Sequence, residues 1–260
     1  MRALKGSLSI SNVSLIYGAG AKSVLALDGI SFEVRANEFT VIVGPSGCGK
    51  SSLLYIAAGL TEATSGHIDA GGKMVTEPGA DRGMVFQAYT LFPWLTVRNN
   101  VEYGLRRKGV APLERNKIVD YYLGEIGLAA FADHFPKQLS GGMMQRVAIA
   151  RALANDPDIL LMDEPFGALD SQTRHAMQKL LLRVWEHAQK TVAFVTHDID
   201  EAILLGDRVI VMTARPGKVK ADIRIDIPRP RDPEIMLEPE FIAIKRRIIN
   251  ELRDEIDETH

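Results

Sequence analysis

One stretch of the sequence decides the fold: FTVIVGPSGCGKSS, residues 39–52. Its first part, Phe39–Val43, is a short apolar run and predicts a buried strand that ends at Gly44. Good helix formers follow from Ser51 to Ala58 and predict a helix. A strand, a glycine-rich turn and a helix in this order open an α/β fold.

The turn contains the pattern G-x-x-x-x-G-K-[ST], with Gly44, Gly49, Lys50 and Ser51 at its fixed positions. The glycines let the backbone curl so that successive N–H groups face phosphates, and the helix N-terminus adds partial positive charge. We expect Lys50 to bridge the β and γ phosphates of ATP and the Ser51 hydroxyl to bind Mg²⁺. The alternative, a plain glycine turn with a solvated lysine, is disfavoured by the flanking strand and helix. The predicted nucleotide-binding residues of this loop are Gly44, Pro45, Ser46, Gly47, Cys48, Gly49, Lys50, Ser51 and Ser52.

Three more apolar runs predict buried strands, at Ile159–Met162, Val192–Thr196 and Arg208–Met212. Helical patterns at Arg174–Gln189 and Asp200–Leu205 separate them. This alternation is typical of a parallel sheet.

Other segments predict two lobes and a closing helix. Alternating apolar residues at Leu8–Tyr17 and Val24–Val34 predict antiparallel strands at the N-terminus. Between Tyr89 and Asn155 the pattern is mostly helical, which indicates a helical lobe inserted at about residues 88–155. A hairpin around ARPGKV is followed by a helix at about 240–257 that would brace a single domain covering residues 1–260. The apolar face of this helix is predicted to contain Phe241, Ile244, Ile248, Ile249, Leu252 and Ile256.

An acidic pair ends the second core strand, in ILLMDEP. We expect Asp163 to bind Mg²⁺ and Glu164 to act as the general base that polarises the attacking water. By itself such a pair is more often the solvated end of a strand. Its occurrence after the phosphate-binding pattern in the same chain favours the catalytic interpretation.

The segment LSGGM, Leu139–Met143, resembles the signature of the ABC ATPases, usually written LSGGQ. Ser140 and the two glycines would cap a helix over Met144–Leu153, so a second anion can bind at its N-terminus. The alternative is an ordinary helix cap after a loop. The resemblance covers nearly the whole chain and implies a RecA-like P-loop ATPase core with an antiparallel β lobe and a helical lobe. Met143 replaces the usual glutamine.

The resemblance also implies roles for four weaker positions. Gln87 would sense Mg²⁺ and the γ-phosphate, and His197 would contact the γ-phosphate. Asp170 would lie at a contact between subunits, and Tyr17 would stack on adenine. Taken singly, these residues could be a surface glutamine, a structural histidine, a helix N-cap and an ordinary strand tyrosine.

In this family two subunits share each ATP, so the chain is expected to work as a homodimer. One subunit would supply the phosphate loop, and the other would supply Ser140, Gly141 and Gly142. The expected catalytic residues are Lys50, Gln87, Glu164 and His197, and the expected Mg²⁺ ligands are Ser51, Gln87 and Asp163.

Composition limits the function classes. The 260 residues are 46% hydrophobic and 25% charged, with a formal net charge of −2. This balance disfavours a nucleic-acid partner. One cysteine, Cys48, fits a reducing compartment and is interpreted as a small loop residue. The sequence contains no run of about 20 apolar residues, so we expect a cytoplasmic protein that reaches a membrane through a partner.

Three segments resemble the importer ATPases of the nitrate, sulfonate, taurine and bicarbonate group: residues 91–105, 212–219 and 228–233. The resemblance implies an integral membrane permease as partner, an external solute-binding protein acting indirectly, and a position on the inner face of the membrane. Phe92, Pro93 and Trp94 could line the groove that receives the permease, or could pack inside the helical lobe.

Other protein classes fit less well. An ABC protein acting on ribosomes or DNA would normally carry two cassettes or basic surface. A P-loop kinase does not require the LSGGM segment. Exporters commonly fuse the ATPase to membrane spans, and this sequence contains none.

Overall fold

The computed structural model describes residues 6–188 and 190–257, without the side chains of residues 21, 187, 188 and 254–257. It contains two sheets and a set of helices. The strands are β1 (Leu8–Tyr17), β2 (Val24–Val34), β3 (Phe39–Val43), β4 (Ser65–Ala70), β5 (Lys73–Met74), β6 (Arg82–Val85), β7 (Ile159–Asp163), β8 (Thr191–Val195), β9 (Arg208–Met212) and β10 (Val219–Arg224). The α-helices are α1 (Lys50–Ala57), α2 (Val97–Arg107), α3 (Pro112–Glu125), α4 (Gly141–Ala154), α5 (Ser171–Ala188), α6 (Ile199–Leu205) and α7 (Pro239–Asp257).

The larger sheet has the order β10-β9-β3-β8-β7-β6. Strands β9, β3, β8, β7 and β6 run parallel to one another, and the edge strand β10 pairs antiparallel with β9. Every residue of β3, β7 and β8 is buried, as expected for parallel strands covered on both faces. The predicted α/β core is confirmed. Because β3, β7 and β8 are parallel neighbours, the residues that follow their carboxyl ends meet at one edge of the sheet.

The smaller sheet has the order β2-β1-β4-β5, and all its pairings are antiparallel. The predicted antiparallel lobe therefore exists. Strands β4 and β5 were not predicted from the sequence. In β4 only Ile68 and Ala70 are buried, and both residues of β5 are exposed, so neither strand has the apolar pattern that identifies a strand.

Three α-helices occupy the segment between Leu91 and Asn155. The buried contacts between them are made by Val101 and Leu105 of α2, Val119 and Leu123 of α3, and Val147 of α4. Helix α4 begins at Gly141, three residues before the predicted Met144, so both glycines lie in its first turn. Ser140 caps it by accepting a hydrogen bond of 3.3 Å from the Met143 N–H.

Helix α7 packs against the core near α6. Phe241 and Ile248 are buried, and Ile244, Ile249 and Leu252 are partly buried. Lys245 forms an ion pair with Asp200 of α6, at 2.7 Å. The Ile256 side chain and Gln189, both included in the sequence predictions, lie outside the described residues.

Candidate active site

The phosphate loop joins β3 to α1 in a conformation that requires glycine. Gly47 and Gly49 have φ angles of +78° and +99°, in the left-handed region that side chains disfavour. A Cβ on Gly49 would also lie 2.6 Å from Leu27 Cδ2. The local sequence therefore fixes a tight loop against β2, followed directly by the N-terminus of α1.

A cavity of about 470 Å³ opens above this loop. The residues predicted from sequence that line it are Tyr17, Ser46, Gly47, Gly49, Lys50, Ser51, Ser52, Gln87 and Glu164. Val24, Ala26 and Arg215 also line it and were not predicted as site residues. Val24 and Ala26 belong to an unremarkable strand pattern. Arg215 lies in the ARPG segment, which the sequence linked only to a subfamily.

Lys50 lies at the base of the loop with its side chain turned to the backbone. Its Nζ donates hydrogen bonds to the carbonyls of Gly44 at 2.8 Å and Pro45 at 2.9 Å, and the residue is 6% exposed. A buried ammonium needs such acceptors or an anion. Phosphate oxygens would supply the anion when ATP binds.

Ser51 and Asp163 face each other beneath the cavity. The Ser51 hydroxyl donates to Asp163 Oδ1 at 2.9 Å. The other oxygen, Asp163 Oδ2, is buried and has no hydrogen-bond partner among the described residues. Burial raises the pKa of Asp163, the Ser51 hydrogen bond opposes this shift, and the nearby Glu164 carboxylate raises the pKa further.

This pair fits Mg²⁺. Hydroxyl and carboxylate oxygens are hard ligands of the type that Mg²⁺ prefers, usually with phosphate oxygens and water completing the octahedron. Within the described residues, no group of three or more His, Cys, Asp or Glu side chains is arranged to hold a metal alone. A site formed by Ser51, Asp163 and nucleotide phosphates is consistent with that finding.

Glu164 lies directly after β7 and receives contacts from two other elements. Its Oε2 is 3.3 Å from Gln87 Nε2, which donates a hydrogen bond, and 3.1 Å from His197 Nδ1. The backbone of Glu164 has a φ of +43°, a strained conformation for a residue with a side chain and one that often occurs at functional sites. Two predicted catalytic residues, Gln87 and His197, therefore converge on the carboxylate of a third, Glu164, at the cavity wall.

Tyr17 forms another part of the cavity wall. Its hydroxyl donates to Ser52 Oγ at 3.0 Å, and the residue is 46% exposed. The hydrogen bond fixes the phenol end, and the exposed ring is available for stacking.

Four predicted residues lie elsewhere. Ser140, Gly141 and Gly142 form the N-terminal end of α4, and Asp170 caps α5 by accepting a hydrogen bond of 3.0 Å from the Thr173 N–H. Backbone hydrogen bonding from Thr173 lowers the pKa of Asp170. None of the four lines the cavity. The structure brings the phosphate loop and Glu164 together but leaves the α4 N-terminus apart from them.

A second cavity, of about 590 Å³, lies between β6, the segment after Gln87, and helices α2 and α4. Phe92 and Tyr103 form part of its wall, with ring centroids 4.6 Å apart. Arg151 of α4 donates to the Thr90 carbonyl at 2.8 Å, which ties α4 to this wall. Trp94 is 71% exposed, next to Phe92. The interpretation that Trp94 packs inside the helical lobe is therefore wrong.

Comparison with known proteins decides the family. A family model described as ABC transporter matches residues 27–167, more than half of the chain. The chain belongs to the ABC transporter family. It is an ATP-binding cassette of that family, with ATP hydrolysis as its activity and ATP and Mg²⁺ as its cofactors. In the described part of this cassette, no helix is both long and apolar enough to cross a bilayer.

Relatives and a solved structure agree with this assignment. The cassette is 46% identical to the nitrate import ATP-binding protein NrtD of Synechocystis, over 97% of each chain. It is 44% identical to the taurine import ATP-binding protein TauB of Roseobacter denitrificans, over 95% of this chain and 94% of TauB. The dimeric cassette MJ0796, solved in a post-hydrolysis state with ADP and phosphate, superposes with a TM-score of 0.77 at 37% identity. It covers 85% of this chain and all of its own. The predicted RecA-like ATPase fold is confirmed.

Proposed function

We propose that this cassette powers the import of a small solute, of the nitrate, sulfonate or taurine type, through a separate membrane permease. The observation that carries the ATPase part of the proposal is the convergence of Gln87 and His197 on Glu164, beside the phosphate loop and the Ser51–Asp163 pair. This arrangement supplies a general base and a metal site for ATP hydrolysis.

In this proposal the two halves of each ATP site come from different subunits. The phosphate loop, Gln87, Asp163, Glu164 and His197 lie on one side, and the Ser140 end of α4 lies apart from them in the same chain. A helix N-terminus favours an anion, so α4 of a second copy would complete the phosphate site. The dimeric state of MJ0796 supports this arrangement.

Each catalytic side chain has a defined task. Lys50 would transfer its hydrogen bonds from the loop carbonyls to phosphate oxygens. Ser51 and Asp163 would hold Mg²⁺, which when bound would supply positive charge to the phosphates. Glu164 accepts a proton from the attacking water, while Gln87 and His197 orient the carboxylate. Tyr17 stacks on adenine, and Asp170 contacts the partner subunit.

The transport assignment rests on the relatives and on the second cavity. The names of NrtD and TauB describe importers, and the two relatives match this chain over nearly its full length. The cavity beside Phe92, Tyr103 and Arg151 is largely apolar and adjoins the segment that follows Gln87. A helix of the permease would bind there with exposed Trp94 at its edge. The cassette would then lie on the cytoplasmic face of the membrane, and a solute-binding protein would deliver cargo on the other side.

The test is Glu164→Gln. The amide keeps the size of the carboxylate but accepts no proton, so hydrolysis should slow by about 10² to 10⁴, while Mg-ATP stays bound and accumulates in a dimer. Size exclusion with light scattering, with and without Mg-ATP, would detect the dimer. Adding Ser140→Arg should abolish it by blocking the opposing phosphate site. Glu62→Gln, at an exposed glutamate, is the matched control.

Two results would contradict the proposal. Wild-type hydrolysis by the Glu164→Gln variant would remove the general-base assignment. Tight ATP binding by a variant that stays monomeric at high concentration would remove the shared site.

A further inference from the structure

The turn between β9 and β10 lies against the ATP site. It comprises residues 213–218, named here the Arg-Pro-Gly turn, and is closed by a hydrogen bond of 3.0 Å from the Thr213 N–H to the Lys218 carbonyl. Gly217 bonds to β2 in both directions: its N–H donates to Ala26 at 2.9 Å, and its carbonyl accepts from Asp28 at 3.0 Å. The turn is therefore fastened to the strand that forms one wall of the cavity.

The same turn packs directly on the phosphate loop. A Cβ added to Gly217 would lie 2.1 Å from the Cys48 carbonyl oxygen, a distance that no side chain can occupy. The two backbones are thus in contact, and a glycine is required at their closest approach.

Arg215 extends this contact to Gly47 of the phosphate loop. Its Nη2 and Nε donate to the Gly47 carbonyl at 3.1 Å and 3.3 Å. Because a peptide unit is planar, holding this oxygen fixes the orientation of the whole peptide between Gly47 and Cys48. Gly47, with a φ of +78°, has no side chain to do so.

The guanidinium also contributes charge to the site. Among the described residues that line the cavity, Lys50 and Arg215 are the two with cationic side chains. Lys50 lies buried at the base, whereas Arg215 is exposed at the rim. Arg215 therefore adds positive potential to the wall of the cavity, which favours an anionic ligand.

We propose that Arg215 is a positioning residue for ATP, which holds the phosphate loop in its binding conformation through the Gly47 carbonyl. This inference rests on the assignment of the cavity to ATP under the proposed function. It assigns Arg215 of the ARPG segment a role in ATP binding, although Arg215 follows Gly47 by 168 positions in the sequence.

The experiment compares four variants of the full chain: Arg215→Ala, Arg215→Lys, Lys50→Ala and the control Arg224→Ala. Arg224 lies on β10, and its side chain is 77% exposed and paired with Asp226 at 3.3 Å. Equilibrium binding of a fluorescent ATP analogue, KM and kcat for ATP, and the melting temperature are measured for each.

We expect Arg215→Ala to raise Kd and KM about tenfold, which corresponds to about 1.4 kcal/mol, with kcat changed less than twofold. Arg215→Lys keeps the charge but loses the two-pronged donor, so it should fall between wild type and Arg215→Ala. Arg224→Ala should match wild type. A purely structural role would lower the melting temperature and kcat without this separation of KM from kcat.

The outcomes separate this inference from the function on which it rests. If Lys50→Ala loses ATP binding while Arg215→Ala and Arg215→Lys both bind like wild type, the positioning role is wrong and the ATP site stands. If Lys50→Ala keeps normal binding, the site assignment itself is wrong. Should Arg215→Ala melt too early to be measured, a wild-type KM for Arg215→Lys overturns the inference.

Discussion

Asp163 offers one carboxylate oxygen to the Ser51 hydroxyl, 2.9 Å away, and keeps its second oxygen buried without a partner among the described residues. A buried carboxylate oxygen without a hydrogen-bond partner lowers the stability of the folded protein. A cation that binds together with the nucleotide would coordinate the second oxygen and offset this cost.

The first prediction follows from this pair. Asp163→Asn should raise the melting temperature of the nucleotide-free protein at pH 7 by a few degrees and abolish Mg²⁺-dependent hydrolysis. The pKa of Asp163 is raised in the folded state, above its ordinary value of 3.8, so the ionised form disfavours folding at neutral pH. As the pH falls through the folded-state pKa, wild type becomes protonated and the stability difference should disappear.

Thermal unfolding of both proteins from pH 7 to pH 4 checks this prediction. Asp226→Asn, at a side chain that is 76% exposed, provides the control and should show no such convergence. A variant less stable than wild type at pH 7 would contradict the argument.

Lys50→Ala should abolish hydrolysis and weaken ATP binding by a factor of 10² or more, because the triphosphate loses its main buried counter-charge. Titration calorimetry with ATP and a phosphate-release assay measure the two effects. Lys179→Ala, at an exposed lysine on α5, should leave both unchanged. Turnover near wild type in Lys50→Ala would mean that the phosphate loop is misassigned.

Trp94→Ala should leave basal ATPase activity and melting temperature near wild type while reducing stimulation by the permease severalfold. The side chain is 71% exposed, so its removal leaves no cavity in the core. Activity with and without the permease in liposomes gives the comparison. Leu113→Ala, at a residue of α3 that is 72% exposed, controls for loss of surface hydrophobicity. Equal stimulation of the Trp94 variant and wild type would place permease binding elsewhere.

Two glycine substitutions should have opposite effects on stability. Gly217→Ala places a Cβ 2.1 Å from the Cys48 carbonyl, so the turn or the phosphate loop must move, and we expect a loss of about 1–3 kcal/mol. Gly124→Ala lies in helix α3 with open space around the new methyl group and should add about 0.5–1 kcal/mol. Urea unfolding of both variants measures the difference, and equal stability of the two would contradict it.

The sequence predicted those parts of the fold whose pattern is local. The strand, loop and helix around Lys50 follow from residues adjacent in the chain, and the buried strands β7, β8 and β9 appear as continuous apolar runs because both faces of the sheet are covered. Strands β4 and β5 have few buried residues, so they lack the apolar pattern that predicts a strand. The position of Trp94 was ambiguous because the sequence does not distinguish a buried aromatic side chain from an exposed one.

Site residues that belong to sequence motifs were predictable, and contacts between segments distant in the sequence were not. Glu164 and Lys50 lie in recognisable patterns. The contact of Arg215 with Gly47 depends on where β9 lies in the sheet, next to β3. The unpaired oxygen of Asp163 likewise depends on packing in three dimensions, which spacing in the sequence does not reveal.

Helix α4 connects two distant surfaces of the molecule. Its 14 residues at about 1.5 Å per residue make a rod of about 21 Å, with Ser140 at one end and Arg151, bonded to Thr90, near the other. A rod of this kind moves as a unit. If the Ser140 end moves towards a nucleotide on a second subunit, the Arg151 end moves with it, and so does the wall of the cavity beside Phe92. Under the proposed function, engagement of the nucleotide and the pull on the permease would then be one mechanical event.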